Sequence, residues 1–545
     1  MMNRGNAQFK RGGLGRTAGV GSAAALLSFN AAVITLVPAL AATSVTVTVD
    51  KQTKASMQCA ELMQEDFTRI PDAPTTLMSA EVMPAKGGIK EYCSVKGYIQ
   101  PQIQFEIRLP TESWNGRYFQ AGCGGTCGFV NIDRCDDALA QDFVVAANNM
   151  GHVSFRDGLW GSDPMLRYDF GPRSTHAMAV VGKAIIERYY DRKAAYAYFR
   201  GCSTGGREGL LAALHWPEDF DGIVAGDPAF PSRQGGIINN WIAHHLNTDD
   251  GEPVFSTEEL ALLNSAVLGK CDATDGLKDG VIEDPRNCDF DVTSMACPNG
   301  VDSADCLTAR QVAAAERLYD GPRHSRTRQR LYPGQVVFGS ERSWSPRLNI
   351  NYADQFLRFL AFAENPPLSY SYRDFNFDTD IVKLEEYAAI YDPVAPYTDP
   401  DMSKFRDVGG KLIVYHGWAD GTVSPLTTLD FYAEVAQREG GIENVEDWYR
   451  VFMVPGMFHC RGGGVPDKFD LLSAIVAWVE NQQAPGKIVA TQMNGDKVVR
   501  TRPMYPYPAV ARYSGKGDVN NAESWEPARP EVRHQDDIKW IWDPD

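Results

Sequence analysis

The sequence predicts an α/β fold: a parallel sheet with helices on both faces, interrupted by one large insertion. Three observations predict it. Short apolar runs alternate with stretches of helical period between residues 103 and 228. The alternation lapses over 229–400, a loop-rich stretch with four cysteines and many Pro, Asn, Asp and aromatic residues. It returns at Lys411–His416, KLIVYH, a buried-strand pattern, and continues to 481. No internal repeat or long low-complexity run interrupts this plan.

Taken in order, the N-terminus reads as an export signal. Residues 1–16 carry Arg4, Lys10, Arg11 and Arg16, and 17–37 are small, apolar and uncharged. Ala39-Leu40-Ala41, after Pro38, fits a small-x-small cleavage site. Gly19, Gly21, Ser28 and Asn30 break the apolar run and argue against a membrane anchor. No later stretch reaches ~18 uncharged apolar residues, so no membrane span is expected after cleavage. The 545 residues are 44% hydrophobic and 23% charged, which sets aside wholesale disorder, collagen and coiled coil. The net charge is −17, and loss of the four basic residues of 1–41 makes it −21. Such a chain has no electrostatic reason to bind nucleic acid or anionic lipid.

Strands are expected at 103–109 (IQFEIRL), 118–120, 143–147, 194–200 (AAYAYFR) and 222–225. After the insertion they are expected at 411–416 and 449–454, with helices over 174–191, 207–216, 427–438 and 469–481. One α/β domain would then comprise 42–228 with 401–545, and 229–400 would be a large insertion. All eleven cysteines follow the signal: Cys59, Cys93, Cys123, Cys127, Cys135, Cys202, Cys271, Cys288, Cys297, Cys306 and Cys460. An exported chain should pair them, and the odd count leaves one free or bonded between chains. A cysteine-ligated metal is poorly supported, because no C-x2-C pair occurs and Cys123 to Cys127 lies in a glycine-rich loop with no His nearby.

The motif that carries chemistry is Gly201-Cys202-Ser203-Thr204-Gly205. A serine hydroxyl is a poor nucleophile until a base takes its proton. G-x-S-x-G presents it on a sharp strand-to-helix turn, flanked by glycines where a side chain would clash. The pattern alone is weak and also fits an ordinary glycine turn. Here it is the sole match, with a strand pattern before it and a helix pattern after it. Hydrolases built this way place their triad in chain order Ser, Asp or Glu, His. Asp420 follows the strand KLIVYH, although Asp before Gly421 also reads as a plain turn. Only His459 and His534 come later. His459 follows the strand YRVFMV and is placed to act as base, whereas His534 lies in a charged tail. His416 and the pair His244-His245 read as structural or surface groups.

Cys202 directly precedes the candidate nucleophile, and Cys460 directly follows the candidate base. If Ser203 meets His459, their neighbours come within disulfide range. A Cys202–Cys460 bond would hold base and nucleophile in register.

On Cys202-Ser203, Asp420 and His459-Cys460 the sequence resembles the tannase and feruloyl esterase family, from about Cys59 to beyond His459. The resemblance implies a secreted α/β-hydrolase catalytic domain with a large inserted lid over 229–400. It implies a serine carboxylic-ester hydrolase acting on esters of aromatic acids such as hydroxycinnamates or gallates. Terephthalate monoesters on the same scaffold are the alternative. The oxyanion hole would use the amide of Thr204 and one from GCGGTCG (122–128), with Gly124 preferred over Gly125. Cys123 and Cys127 depart from the family's plain glycine run. Trp344, Tyr352, Phe356, Phe359, Phe362, Tyr370 and Tyr372 could line an aromatic pocket, with lid packing as the plainer role for most.

A second site is written in CDATDGLKDGV, 271–281. Three carboxylates in eight residues, interleaved with glycines, can wrap a hard cation. This is not an EF-hand, since Thr274 stands at loop position 3 and Leu277 at position 6. The resemblance implies a structural calcium ion held by Asp272, Asp275 and Asp279 and by the carbonyls of Leu277 and Val281. It also implies the pairs Cys271–Cys288, Cys297–Cys306 and Cys59–Cys93, leaving Cys123, Cys127 and Cys135 unassigned. The expected enzyme is secreted or periplasmic and takes a small aromatic ester as substrate. Its rivals are a secreted serine peptidase and a non-catalytic calcium-stabilised binding module.

Overall fold

Nine strands form the central sheet of the computed structural model, which describes residues 52–154, 157–229, 234–384, 400–530 and 536. The expected export signal, 1–41, and His534 lie outside the described residues. The strands are β1 Thr75–Met83, β2 Tyr92–Ile99, β3 Ile103–Pro110, β4 Arg117–Ala121, β5 Val144–Asn148, β6 Tyr196–Cys202, β7 Gly222–Gly226, β8 Lys411–Gly417 and β9 Tyr449–Val454. Their order is β1-β2-β3-β5-β4-β6-β7-β8-β9. From β5 to β9 every pairing is parallel. β1, β2 and β3 pair antiparallel, as does β3 with β5. The sheet is therefore mixed rather than wholly parallel. The antiparallel flank is β1, β2 and β3, of which the sequence announced only β3.

Alternation along the strands explains the two faces. On β5, Val144 and Ala146 join one apolar core, and Val145 and Ala147 join another on the opposite face. Tyr198 and Phe199 of β6 divide in the same way, as do Ile413 and Val414 of β8. Helix α1, Ser174–Tyr190, brings Met178, Val181 and Ile185 to the first face. Helix α2, Thr204–His215, adds Leu210 and Leu211 there. The second face is covered largely by Leu472, Ile475 and Trp478, from Leu471–Asn481 near the end of the fold. A strand buried on both faces must read as an apolar run, and β5 and β7 are buried at every position.

β7 and β8 are hydrogen-bonded neighbours, Gly222 opposite Lys411, yet the whole of 227–410 lies between them in sequence. That insertion has a core of its own. α3 (Asn240–Leu246), α4 (Thr257–Cys271), α5 (Ala309–Asp320) and α6 (Pro346–Phe359) contribute Ile242, Leu263, Ala315 and Leu357 to it. Cys123, Cys127, Met150 and Phe170 join this core from the loops that border the sheet. α4 starts on a capping box, in which Ser256 and Glu259 each bond the other's backbone amide. α7 (Pro425–Arg438) and α8 (Leu471–Asn481) complete the layers around the sheet. Two further hairpins follow: β10 (Ile488–Asn494) with β11 (Lys497–Met504), and β12 (Val510–Tyr513) with β13 (Trp525–Ala528).

Five disulfides are present among the described residues: Cys59–Cys93, Cys123–Cys127, Cys202–Cys460, Cys271–Cys288 and Cys297–Cys306. Two of the three cysteines left open by the sequence pair with each other, and Cys135 stays as a buried thiol pushed up to about 12 by burial. No described helix is long and apolar enough to cross a membrane.

Candidate active site

β6 ends at Cys202, α2 begins at Thr204, and Ser203 takes the turn between them at φ 65°, ψ −122°. A non-glycine residue is seldom held there, and the surroundings fix it. The Ser203 amide donates to Gly226 O at 2.9 Å, and its carbonyl accepts from Arg207 N and Ala229 N, both at 3.1 Å. A Cβ on Gly205 would stand 2.9 Å from the Cys123 carbonyl, and one on Gly201 would strike the Gly205 backbone. The flanking glycines are thus required by close backbone approach.

Asp420 lies in the loop after β8 and is fully buried. Its Oδ1 accepts the amides of Thr422 at 2.8 Å and Val423 at 2.9 Å, and its Oδ2 accepts from His459 Nδ1 at 2.6 Å. That bond puts the hydrogen of a neutral His459 on Nδ1 and leaves Nε2 as the basic nitrogen. Burial pushes the Asp420 carboxyl up, but the charge of His459 and hydrogen bonds from His416 and His459 hold it well below the usual carboxylate range. Burial alone would lower His459. The charge and hydrogen bond of Asp420, with a further contribution from Asp227, raise it to about 9 instead.

Ser203 and His459 line one cleft of about 610 Å³, with Gly125, Thr126, Phe170, Thr204, Ala229, Asn239, Tyr352, Phe356, Leu360, Thr422 and Val423. Their sequence neighbours are joined by the Cys202–Cys460 disulfide, with Cα atoms 6.1 Å apart. The structure thus brings together the three residues singled out from sequence. Of the seven aromatic residues named for the pocket, Tyr352 and Phe356 reach the cleft. Trp344, Phe359 and Tyr372 are buried in the insertion core, and Phe362 and Tyr370 pack against it.

Thr204 opens α2, so its amide has no acceptor one turn back and is available to a ligand. In the loop after β4, Gly125 rather than Gly124 borders the cleft. That loop is tied down on several sides. Thr204 Oγ1 donates to Gly125 O at 2.6 Å, His152 Nε2 donates to Thr126 O at 2.5 Å, and buried Glu208 accepts the Cys123 amide at 3.0 Å. The Cys123–Cys127 disulfide closes a ring around residues 124–126.

Two further buried groups lie beside the triad acid: Asp227, which drew no notice in the sequence, and His416, read there as a structural or surface group. Asp227, just past β7, accepts the Gly417 amide at 3.1 Å, and burial raises its carboxyl to about 6. His416, in β8, sets its Nε2 3.3 Å from Asp420 Oδ2. The available signal was positional: Asp227 follows β7 as Asp420 follows β8, and His416 precedes Asp420 by four residues.

The acidic loop is also closed on itself. Asp272 accepts the amides of Asp279, Gly280 and Val281 at 3.1–3.3 Å, and Asp275 Oδ1 accepts that of Leu277 at 3.0 Å. Arg502 donates to Asp279 Oδ2 at 2.7 Å and to Glu283 at 2.6 Å, and Arg500 also pairs with Asp279. Asp275 Oδ2 and Asp279 Oδ1 are buried without a hydrogen-bond partner. Oxygen donors are the chemistry a hard cation takes, although Arg502 Nη2 already stands 3.6 Å from Asp275 Oδ2 and both Arg500 and Arg502 pair with Asp279.

The family model for tannase and feruloyl esterase matches residues 88–528. Mono(2-hydroxyethyl) terephthalate hydrolase of Piscinibacter sakaiensis is 34% identical over 532 residues, covering 84% of this chain and 87% of that protein. The crystal structure of feruloyl esterase B from Aspergillus oryzae superposes with a TM-score of 0.77 at 26% identity, covering 86% of this chain and 99% of that one. Tannin acyl hydrolase from Aspergillus niger shares the fold, with a TM-score of 0.70 at 20% identity over 88% of this chain and 95% of that one. With its mixed sheet, helices on both faces and a family match over most of its length, the chain belongs to the tannase and feruloyl esterase family and is a carboxylic ester hydrolase of the α/β-hydrolase fold.

Proposed function

We propose that the chain is an exported serine esterase that cleaves esters of aromatic acids through an acyl-enzyme. The observation that carries this reading is the bond of His459 Nδ1 to buried Asp420 beside the cleft that Ser203 lines. Ser203 Oγ attacks the ester carbonyl while His459 Nε2 takes its proton. The amides of Thr204 and of the 124–126 ring, Gly124 or Gly125, receive the oxyanion. His459 then protonates the departing alkoxide, and a water activated by the same nitrogen releases the acid. Asp420 stabilises the imidazolium in both halves.

The acyl group is read from the cleft wall. Phe170, Tyr352, Phe356, Leu360 and Val423 offer apolar and aromatic surface. Such a wall suits a flat neutral ring, hence hydroxycinnamoyl or galloyl esters. Terephthalate monoesters are the second reading, favoured by the 34% identical relative, whose name states that substrate. A panel of methyl ferulate, methyl gallate, mono(2-hydroxyethyl) terephthalate and a feruloyl amide decides between these and the peptidase. The feruloyl ester should be turned over fastest and the amide not at all, and Ser203→Ala should lose about 10⁴-fold or more in kcat. Turnover surviving in Ser203→Ala would sink the reading.

Export is supported by the basic and apolar stretch at 1–41 and by five disulfides. The acidic loop is assigned a structural calcium ion, with Asp272, Asp275 and Asp279 side chains and the Leu277 and Val281 carbonyls as ligands. The ion would neutralise the clustered carboxylates and take no part in ester cleavage. Arg500 and Arg502 already supply part of that neutralisation from β11.

A further inference from the structure

His416 is completely buried, and the donors and acceptors around it define its state. Three groups face Nε2: Val423 O at 3.2 Å, Asp420 Oδ2 at 3.3 Å and Asp227 Oδ1 at 3.6 Å. All three are acceptors, so Nε2 carries a hydrogen. Nδ1 faces the Thr428 hydroxyl of α7 at 2.7 Å. A hydroxyl can donate there, so a neutral ring with its hydrogen on Nε2 is satisfied at both ends. Nε2–H donates to Val423 O, and Asp420 Oδ2, which accepts from His459 at 2.6 Å, stands beside that same N–H as a polar contact at 3.3 Å. The charged or titratable groups that reach this ring are Asp227 from the loop after β7, Asp420 from the loop after β8 and, through Asp420, His459. Thr428 and the Val423 carbonyl bring no charge.

We propose that His416 is a positioning residue for the triad acid. Its Nε2–H, with the Asp227 carboxylate behind it, holds Asp420 in the orientation that meets His459 and draws off part of the charge His459 would otherwise face alone. The proposal rests on the assignment of Ser203, Asp420 and His459 given above. Two consequences follow. His416 does not border the cleft, so losing it should leave substrate binding alone and slow turnover. Loss of the donor also concentrates the Asp420 charge on His459, which then holds its proton more tightly. The base works only when neutral, so kcat/KM rises with pH as His459 deprotonates, and this limb should move to higher pH.

The test compares His416→Leu, which lacks any donor, with His416→Gln, whose side-chain amide can replace Nε2–H. In His416→Leu, kcat on a feruloyl ester should fall about tenfold with KM within about twofold. The acid limb of kcat/KM should rise by about half a pH unit. His416→Gln should restore most of both. Wild-type kcat and acid limb in His416→Leu overturn the proposal. So does equal impairment of both variants with an unmoved limb, which would make the ring mere packing. Should His416→Leu fail to fold, Thr428→Val frees the Nδ1 end of the ring: a smaller shift of the limb in the same direction supports the proposal, and an unshifted limb overturns it. Ser203→Ala in the same assays separates the two layers. Its loss of turnover beside an unaffected His416→Leu overturns this proposal alone, and its survival overturns the triad and this proposal together.

Discussion

The cleft has two walls of different construction. One wall is made by loops leaving the C-terminal ends of parallel strands: 122–128 after β4, Ser203 after β6, 418–424 after β8 and 455–460 after β9. Its groups are held by backbone hydrogen bonds, by Asp420 and by the Cys202–Cys460 bond. The other wall is one stripe of the insertion: Tyr352, Phe356 and Leu360 recur every four residues along α6 and its end. That stripe rests on the packing of the insertion's apolar core, which Cys123, Cys127, Met150 and Phe170 from the bordering loops share. Reacting groups need placement to fractions of an ångström, and covalent and hydrogen-bonded ties provide it. A recognition surface needs shape and apolar area, which side chains on a helix can change without moving the chemistry.

Removing the sulfur tie should break this division most strongly. The double variant Cys202→Ser/Cys460→Ser frees the two loops that carry nucleophile and base. Loss of a cross-link spanning 258 residues costs up to roughly 5 kcal/mol of stability on the chain-entropy account. The melting temperature should drop and kcat on a feruloyl ester should fall about 10- to 100-fold at a temperature where the fold persists. An unchanged kcat would show that hydrogen bonds alone hold the register.

The opposite wall should answer differently. Tyr352→Ala removes aromatic surface without touching Ser203 or His459. KM for the feruloyl ester should rise about tenfold with kcat within about twofold, while a short acetyl ester is unaffected. A fall in kcat on both substrates would mean that the insertion positions the chemistry after all. The smallest effect is expected from the acidic loop, which borders neither wall. Calcium chelation should lower the melting temperature by about 2–4 °C and leave kcat at moderate temperature unchanged. A chelator-sensitive kcat with unaltered melting would refute a purely structural ion.

The parallel core and the triad candidates were legible because both leave local marks. β4 to β9 are short apolar runs, since strands covered on both faces cannot alternate. β1 is an edge strand exposed at four of its nine positions, Met78, Glu81, Val82 and Met83, so it carries no apolar run to notice. β11 exposes Val498 and Val499, and β10–β13 pair only as two-stranded ribbons. Ser203, Asp420 and His459 were marked by glycines, strand ends and neighbouring cysteines. The link between His416 and Asp227 left no such mark, because it exists only once β7 and β8 are paired across 184 intervening residues, 227–410. Arg500 and Arg502 reach the acidic loop from more than 200 residues downstream, which no local pattern encodes.

The Cys202–Cys460 bond also sets an order of events in biosynthesis. The other four bridges span 34, 4, 17 and 9 residues and can close soon after each second sulfur emerges. Cys202 must wait while 258 further residues are made, with Cys271, Cys288, Cys297 and Cys306 arriving meanwhile as wrong partners. Swift closure of the two short bridges within the insertion removes those competitors before Cys460 appears. Production in a host compartment that cannot reshuffle thiols should therefore yield soluble but inactive chains whose fault lies in sulfur pairing rather than in the sheet.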